Sequence, residues 1–497
     1  MRINILFGGK AGQGPNILTH ITAEALVKKG YYVFYSRDYQ SLIRGGHNFN
    51  VLTFSDEEVY SNDSQLDILI ELDEGTEKIH KKEMKKECII MNGKHENMYF
   101  AGRLFKLLGI SFNELENELR KLGKKVEENL RNAKQGYDEE KRKLKLPEIR
   151  KSVKKEFMNG SQAISEGAIK SGLDIYYAYP MTPATSVLTE LAQKQIKNNF
   201  LTLELENEIA VINAAIGSAI TGVKAMVGTS GGGFDLMTEG LSLTGIAEVP
   251  LVLYLAQRPG PATGVATYTG QGDLNIARHG GHGEFVRIVL APGNPKECQE
   301  LVSQCFYFSQ KYKIPAIILS DKHLAESFYT LNSEAKITKS EKLTSLGRYN
   351  SYEKDEQGNA TENAEIIEKN IKARLKKKQE IEKEAEKFSM FEVYGKQNSK
   401  NLIISYGSTK GAILDAIKNL DCAFVQIKYI EPFPKQIENI LKGKNVILVE
   451  NNATGMLGDV IREKTGFLIE DKNKILKFNG RPFLGDELRG EIERRER

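Results

Sequence analysis

The stretch that decides the fold reads YPMTPATSVLTELAQKQIKNNFLTLELENEIAVINAAIGSA and runs from Tyr179 to Ala219. Two prolines fix the backbone on either side of Thr182, so this end predicts an exposed turn that presents a hydroxyl group. The other end passes through several acids into a helix of small and apolar residues, a composition typical of a buried helix. Glu208 stands at the mouth of that helix, where a carboxyl group needs a polar partner.

Segments on both sides of this stretch alternate between strand-like and helix-like patterns. The predicted strands are 174–178, 201–205, 223–227, 250–256 and 316–321, and the predicted helices are 160–171 and 185–194. Such alternation indicates a parallel sheet, whose functional loops lie at the carboxyl ends of the strands. Thr182 and Glu208 both fall at such ends.

Two glycine-containing motifs follow further strands. TSGGGFD at 229–235 predicts a turn rich in hydroxyl groups and glycine, where the backbone can approach a ligand closely. QRPGPATG at 257–264 places Arg258 at the end of an apolar strand and before a rigid turn. An arginine there can clamp a carboxylate through two hydrogen bonds or tie down its own loop, and the residues alone leave both interpretations open.

Composition excludes several classes of protein. The chain has 497 residues, 40% of them hydrophobic, and 44 glycines, which indicates α/β material in three domains. A formal net charge of +4 is too small to argue for nucleic acid. No apolar run approaches the roughly 20 residues of a membrane span, and the start lacks a secretory signal, so a cytoplasmic protein with no membrane partner is expected.

The four cysteines are Cys88, Cys298, Cys305 and Cys422. They form no C-x-x-C pair and no spacing that suits zinc or an iron-sulfur cluster, so no metal site is expected on this chain. We expect all four to be buried as small apolar side chains.

The first domain is predicted at 1–138. Its turn GGKAGQG, which includes Gly12 and Gly14, lies between a strand and a helix, so backbone amides there could hold an anion. A tight turn that packs on another protein is the alternative. Arg44 could bind a phosphate or hold its own loop. A single helix is predicted at 112–132.

Charge and composition set the remaining boundaries. A charged linker is predicted at 139–157, a second domain at 158–331, and a charged spacer with a solvated helix at 332–400. The third domain, 401–497, repeats the parallel pattern of strands and helices. Its loop at 451–455 is expected to shape an interface.

The motifs of the second domain resemble those of a known family. Four of them occur in the order, and near the spacing, of the alpha subunit of 2-oxoacid:ferredoxin oxidoreductases: YPMTP at 179–183, ENEIA at 206–210, TSGGGF at 229–234 and QRPGPATG at 257–264. The first domain resembles the gamma domain of that family, fused in front. The resemblance implies an α/β fold with three parallel-sheet domains: a gamma-like domain, a pyrimidine-binding domain of the thiamine diphosphate fold and a transketolase C-terminal-like domain.

Members of this family decarboxylate a 2-oxoacid with thiamine diphosphate, pass electrons to ferredoxin and transfer the acyl group to coenzyme A. The resemblance implies that Glu208 hydrogen-bonds the aminopyrimidine ring and drives the tautomer that deprotonates the thiazolium carbon. It also implies that Thr182 and Arg258 hold the substrate carboxylate. The further cofactor-binding candidates are Tyr179, Pro180, Thr229 and Ser230, and the candidates for a contact with coenzyme A or phosphate are Arg44, Gly12 and Gly14.

The chain has neither a Gly-Asp-Gly diphosphate motif nor a cysteine quartet. In the family both belong to a separate beta subunit, which carries Mg²⁺ and a 4Fe-4S cluster. We therefore expect this chain to supply half of a shared site in a dimer of heterodimers that reduces ferredoxin.

The resemblance favours 2-oxoglutarate as substrate, because relatives with an Arg-Pro-Gly-Pro loop often use it, while pyruvate or a branched-chain 2-oxoacid stays open. Gly232, Asp235 and Ala262 depart from the family pattern, which leaves loop shape and substrate choice open. The competing interpretation is a non-catalytic scaffold that binds a nucleotide or coenzyme A at the glycine turn of the first domain.

Overall fold

The computed structural model describes residues 1–40, 46–149, 155–343 and 348–495. In these ranges the strands form three sheets, and the predicted α/β class with three sheets is confirmed. The chain divides into two compact units. The first unit is Met1–Met158, Ser327–Ser333 and Leu484–Arg489, and the second unit is Asn159–Glu326, Glu334–Phe483 and Gly490–Arg497. The domain limits given above stay a prediction.

The elements are numbered in chain order. The strands are β1 Arg2–Lys10, β2 Tyr32–Asp38, β3 His47–Ser55, β4 Leu66–Glu71, β5 Met84–Met91, β6 Glu156–Asn159, β7 Ile175–Ala178, β8 Leu201–Glu204, β9 Ala225–Thr229, β10 Leu251–Gln257, β11 Ile288–Leu290, β12 Pro315–Asp321, β13 Phe328–Leu331, β14 Phe391–Gly395, β15 Asn401–Tyr406, β16 Cys422–Ile427, β17 Tyr429–Glu431, β18 Asn445–Glu450 and β19 Lys474–Leu476. The helices are α1 Pro15–Lys28, α2 Thr76–His80, α3 Asn97–Leu107, α4 Phe112–Arg120, α5 Val126–Glu139, α6 Gly160–Lys170, α7 Thr185–Asn198, α8 Glu208–Ala219, α9 Gly231–Ala247, α10 Leu274–His279, α11 Pro295–Tyr312, α12 Lys322–Glu326, α13 Ala364–Ala385, α14 Thr409–Ala416, α15 Ile437–Leu441, α16 Met456–Thr465 and α17 Gly485–Arg495. A 3₁₀ turn covers Asp471–Asn473.

The first sheet has the order β5-β4-β1-β3-β2-β13-β6. It is mixed, because β1 pairs parallel with β4 and antiparallel with β3. The hydroxyl of Thr330 on β13 accepts from Val33 N at 2.8 Å and donates to Val33 O at 2.9 Å, across 297 residues of chain. From the sequence alone, residues 327–331 are placed with the second domain, because a pairing between segments so far apart has no local signature.

The single helix predicted at 112–132 was wrong, because the structure has two helices, α4 and α5. Gly123 at φ 67° and Lys125 at φ 49° lie between them in the left-handed region, which ends the first helix. The charged pattern continues through the residues between α4 and α5, so periodicity alone predicts one helix.

The segment predicted as a charged linker packs on the first unit in its described part. The side chain of Glu140 is buried, and it accepts from Arg142 Nε at 2.8 Å and from Arg103 Nη2 at 3.1 Å. The hydrogen bond from Arg142 contributes most to lowering the pKa of Glu140 to about 2, although burial opposes the shift. These contacts hold the segment against the first unit.

The second sheet has the order β17-β11-β12-β10-β9-β7-β8 and is parallel except for the edge pair of β17 with β11. The strands β7 to β10 therefore end at one edge of the sheet. The residues that follow them are Tyr179, Leu205, Ser230 and Arg258. The five predicted strands agree with the observed ones to within two residues, whereas α10, β11 and α11 were not predicted.

The third sheet has the order β14-β16-β15-β18-β19 and shares one hydrophobic core with the second. Both β14 and α13 lie in the stretch that was predicted as a spacer. The helix α13 is mostly exposed, as expected, but it buries Ile381 and Ala385. None of the helices in the described ranges is long and apolar enough to cross a membrane.

A buried ion pair joins α11 to α14. Glu297 pairs with Lys410 and also accepts from Gln426 Nε2 and Gly293 N, each at 2.6 Å. Burial opposes ionisation of Glu297, but Lys410 and Lys428 hold its pKa below the ordinary value. Both oxygens of the charged carboxylate therefore accept hydrogen bonds.

We expect Lys410→Ala to lower the free energy of unfolding of the second unit by about 3–5 kcal/mol, because it leaves a buried carboxylate unpaired. Since the pKa of Glu297 is lowered by folding, the contribution of the pair is full at neutral pH and is lost as the pH falls below the ordinary value of 4.5. Calorimetric unfolding at pH 7 and pH 4 measures both effects. Lys442→Ala, which breaks the exposed pair with Glu438, is the control and should cost less than about 1 kcal/mol.

Candidate active site

Glu208 is the first residue of α8 and is only 3% exposed. Asn207 caps the helix, since its Oδ1 accepts from Ala210 N at 2.9 Å. The inward face of α8 carries Ile212 and Ala215, both fully buried, whereas Ile209 is 52% exposed. The apolar surroundings expected for Glu208 therefore come from that inward face and from neighbouring elements, and Ile209 is not part of them.

The carboxyl group of Glu208 faces a glycine. A Cβ built on Gly233 would lie 2.8 Å from Glu208 Cδ and would overlap both Glu208 Oε1 and Thr229 Oγ1. Glu208 Oε1 is buried and has no hydrogen-bond partner among the described residues. Buried acceptors are almost always paired, so this oxygen is suited to a donor on a ligand.

The glycine-rich turn predicted at 229–235 was wrong, because Gly231 begins the helix α9. Glycine has a poor helix propensity, so the local pattern favoured a turn. Burial of Phe234, Met237 and Leu241 stabilises the helix instead. The N-cap residue Ser230 makes no side-chain capping bond, and its buried Oγ has no partner in the described ranges.

Arg258 lies beside Thr182. Arg258 Nη1 donates to Thr182 O at 2.7 Å, so the contact is with the main chain of the proline-flanked turn. Burial lowers the pKa of Arg258, and the carboxyl groups of Asp273 and Glu208 oppose that shift. Within the described ranges the guanidinium forms no ion pair, so it keeps donors for a ligand.

A cavity of about 520 Å³ in the second unit contains Arg258 and Ser230 in its wall. The loop at 451–454, which was expected to shape an interface, forms another part of this wall. Gln271 fixes that loop, since its Oε1 accepts from Asn451 N at 2.9 Å and its main-chain O accepts from Asn452 Nδ2 at 3.1 Å. The third sheet therefore contributes directly to the cavity.

Sequence reasoning missed one acid of this cavity, Asp273, and named the other, Asp235, only as a departure from the family pattern. Burial raises the pKa of Asp273 to about 6, Asp235 adds to the shift, and Arg258 opposes it. Asp273 is the N-cap residue of the short helix α10, and no periodicity marks it. In the sequence, the only sign of a role for Asp273 is its position shortly after the Arg258 loop.

The other predicted residues are placed as follows. Tyr179 is 39% exposed and Pro180 half-buried, both directly after β7. Gly12 and Gly14 take positive φ angles of 92° and 80° in the first unit, and Gly14 is the N-cap of α1. Arg44 lies outside the described residues, and the role of all these residues stays a prediction.

No group of three or more His, Cys, Asp or Glu side chains in the described ranges could hold a metal ion. Cys298, Cys305 and Cys422 are buried as expected, but Cys88 is only half-buried. Burial raises the pKa of its thiol to about 11.

Two family models match the chain. The model described as pyruvate flavodoxin/ferredoxin oxidoreductase, thiamine diphosphate-binding, covers residues 166–397, and the model described as pyruvate ferredoxin/flavodoxin oxidoreductase covers residues 4–96. A 2-oxoacid:ferredoxin oxidoreductase subunit alpha from Saccharolobus solfataricus is 31% identical over 99% of this chain and 98% of its own length. The chain belongs to the 2-oxoacid:ferredoxin oxidoreductase family.

Further similar proteins agree with this membership. A 2-oxoglutarate synthase subunit KorA from Methanocaldococcus jannaschii is 29% identical over 69% of this chain and 98% of its own length. The solved structure of the 2-oxoglutarate:ferredoxin oxidoreductase from Magnetococcus marinus, with 2-oxoglutarate, coenzyme A and succinyl-CoA bound, matches 100% of both chains with a TM-score of 0.89 and 25% identity. The family and the enzyme class inferred from the motifs are confirmed: the chain is an alpha subunit of an oxidoreductase that acts on 2-oxoacids.

Proposed function

We propose that this chain contributes the pyrimidine-binding half of a thiamine diphosphate site that decarboxylates 2-oxoglutarate and forms succinyl-CoA. The observation that carries the proposal is the buried Glu208 Oε1, which packs against the bare Cα of Gly233 and has no hydrogen-bond partner among the described residues. The guanidinium of Arg258 lies at the same edge of the sheet, and the carboxyl group of Glu208 opposes the lowering of its pKa by burial. A non-catalytic scaffold would have no use for an unpaired buried carboxyl oxygen.

The residues of the chain fit the aminopyrimidine end of thiamine diphosphate. When bound, this cofactor supplies the electron sink for loss of carbon dioxide from a 2-oxoacid. Glu208 holds and moves a proton at Oε1, where a ring nitrogen can share it. Thr229 and Ser230 lie at the end of β9, and Tyr179 and Pro180 directly follow β7. We assign these four residues to the surroundings of that ring.

The substrate carboxylate is assigned to Arg258 and Thr182. Decarboxylation disperses the charge of that carboxylate, so the role of the pair is orientation rather than strong stabilisation. Arg258 is the cation among the described cavity residues, and Asp235 and Asp273 are acids. The second carboxylate of 2-oxoglutarate therefore needs the amide and hydroxyl donors of the loop at 451–454 or a cation of another chain.

The rest of the catalytic assembly is assigned to partners. The chain has no Gly-Asp-Gly motif and no cysteine quartet, so a beta subunit brings Mg²⁺, the diphosphate site and a 4Fe-4S cluster, and two such pairs form the complex. Electrons leave to ferredoxin. Coenzyme A is the acyl acceptor, and Gly12, Gly14 and Arg44 of the gamma-like domain are its candidate contacts.

The test is a kinetic comparison of the reconstituted complex on 2-oxoglutarate, pyruvate and a branched-chain 2-oxoacid with a viologen acceptor. Arg258→Ala should raise KM for every 2-oxoacid by about 10- to 100-fold, because one charged hydrogen-bond partner is lost. Thr182→Ala should act in the same direction and less strongly. The highest kcat/KM is expected with 2-oxoglutarate.

Arg287→Ala is the matched control for this experiment. Like Arg258, Arg287 is a half-buried arginine that donates to one main-chain oxygen, Gly280 O at 2.6 Å, but it does not line the cavity. It should lower stability and leave KM unchanged. Unchanged kinetics in Arg258→Ala, or turnover by the purified chain alone, would contradict the proposal.

A further inference from the structure

Asp273 lies in the wall of the cavity, and the proposed reaction gives it no role. Its main-chain N donates to Gln257 Oε1 at 3.0 Å, and Gln257 is the residue directly before Arg258. Gln257 is itself held, because its Nε2 donates to Ser320 O at 3.1 Å on the neighbouring strand. The end of β10 therefore fixes both the substrate-binding arginine and the acid.

The carboxyl group of Asp273 is closely packed in the wall of the cavity. A Cβ built on Gly231 would lie 2.7 Å from Asp273 Oδ1 and 2.7 Å from Oδ2, so the carboxyl group packs against the bare first turn of α9. Its Oδ2 is buried and has no partner among the described residues. The acid is thus held beside the cavity without a hydrogen-bond donor of its own.

Two charged groups act on Asp273, and a third group responds to it. Arg258 favours its ionised form, Asp235 opposes it, and the phenol of Tyr406 lies close enough to respond to its charge. Arg258 in turn responds to both Asp273 and Glu208. A substrate carboxylate that binds Arg258 must therefore share the charge of the guanidinium with Asp273.

We propose that Asp273 acts through Arg258: it competes with the carboxylate of the 2-oxoacid for the guanidinium and takes up a proton when the substrate binds. The inference rests on the proposed role of Arg258. Below about pH 6 the acid is neutral, and the guanidinium is available to the substrate. At higher pH the ionised acid weakens substrate binding, because the two carboxylates repel each other.

The first test is the pH dependence of KM for 2-oxoglutarate in the reconstituted complex between pH 5.5 and 8. KM of the wild type should rise by about tenfold over this range, since the carboxylates of the substrate do not titrate there. Asp273→Asn should abolish the rise, and Asp273→Glu, which keeps a titratable acid, should retain it. Asp421→Asn, an exposed acid paired only with Lys396, is the matched control and should behave as the wild type.

The second test needs no variant. Oxamate carries the carboxylate and carbonyl of a 2-oxoacid but does not lose carbon dioxide, and its binding to the wild-type complex can be followed by calorimetry in buffers of different ionisation enthalpy. At pH 6.5 about half a proton should be taken up per site. Zero uptake, a flat wild-type KM profile or a full rise in Asp273→Asn would each overturn the role of Asp273. An unchanged KM in Arg258→Ala would instead overturn the proposed function.

Discussion

Glu208→Gln in the reconstituted complex is expected to lower kcat by about 10²- to 10⁴-fold with every 2-oxoacid, the range for loss of a general acid-base group. The amide keeps the size of the side chain and its hydrogen-bond reach, so it fits the close packing against Gly233. It cannot give up or accept a proton at Oε1. Steady-state rates with a viologen acceptor measure the loss, and exchange of the thiazolium proton measured by NMR tests the step directly.

The matched control is Glu206→Gln, an exposed acid two residues earlier on the same approach to α8. Its rates should stay within about threefold of the wild type, the small effect of an exposed charge. Equal losses in the two variants would show that the acidic approach as a whole matters, and full activity in Glu208→Gln would remove Glu208 from the chemistry.

Gly233→Ala is expected to lower activity by about 10²-fold or more. The added methyl group would overlap Glu208 Oε1 and Thr229 Oγ1, so both side chains must move. A displacement of about 1 Å at a reacting group is enough for a loss of that size. Steady-state rates and thiamine diphosphate affinity measure the effect.

Gly217→Ala separates this effect from helix propensity. Both substitutions replace a helical glycine with alanine and so favour the helix by up to about 1 kcal/mol. A Cβ at Gly217, on the exposed face of α8, meets no atom within 4 Å. Gly217→Ala should keep full activity, and an active Gly233→Ala enzyme would mean that the site tolerates a side chain beside Glu208.

The elements of the second unit were predicted well where local patterns are strong. Apolar runs bounded by glycine and proline marked β7 to β10 to within two residues. The same reasoning failed at 229–235, where three glycines predicted a turn. There the burial of Phe234 and Met237 outweighs the poor propensity of glycine, and burial depends on the rest of the fold.

The candidate site was predicted in part. Thr182, Glu208 and Arg258 follow directly from their motifs, and the structure places Thr182 and Arg258 in contact. Asp273 and the loop at 451–454 could not be predicted as parts of the cavity. Neither lies in a periodic element, and their place depends on contacts made across long stretches of chain.

By itself the sequence determined the order of strands and turns around Thr182, Glu208 and Arg258, because apolar periodicity and the backbone limits of proline act over a few residues. Only the tertiary structure decided which groups meet there. Gln271 receives its hydrogen bond from Asn451, 180 residues away, and Gly231 and Gly233 leave room for Asp273 and Glu208. Such contacts arise from the packing of distant segments, which no local pattern encodes.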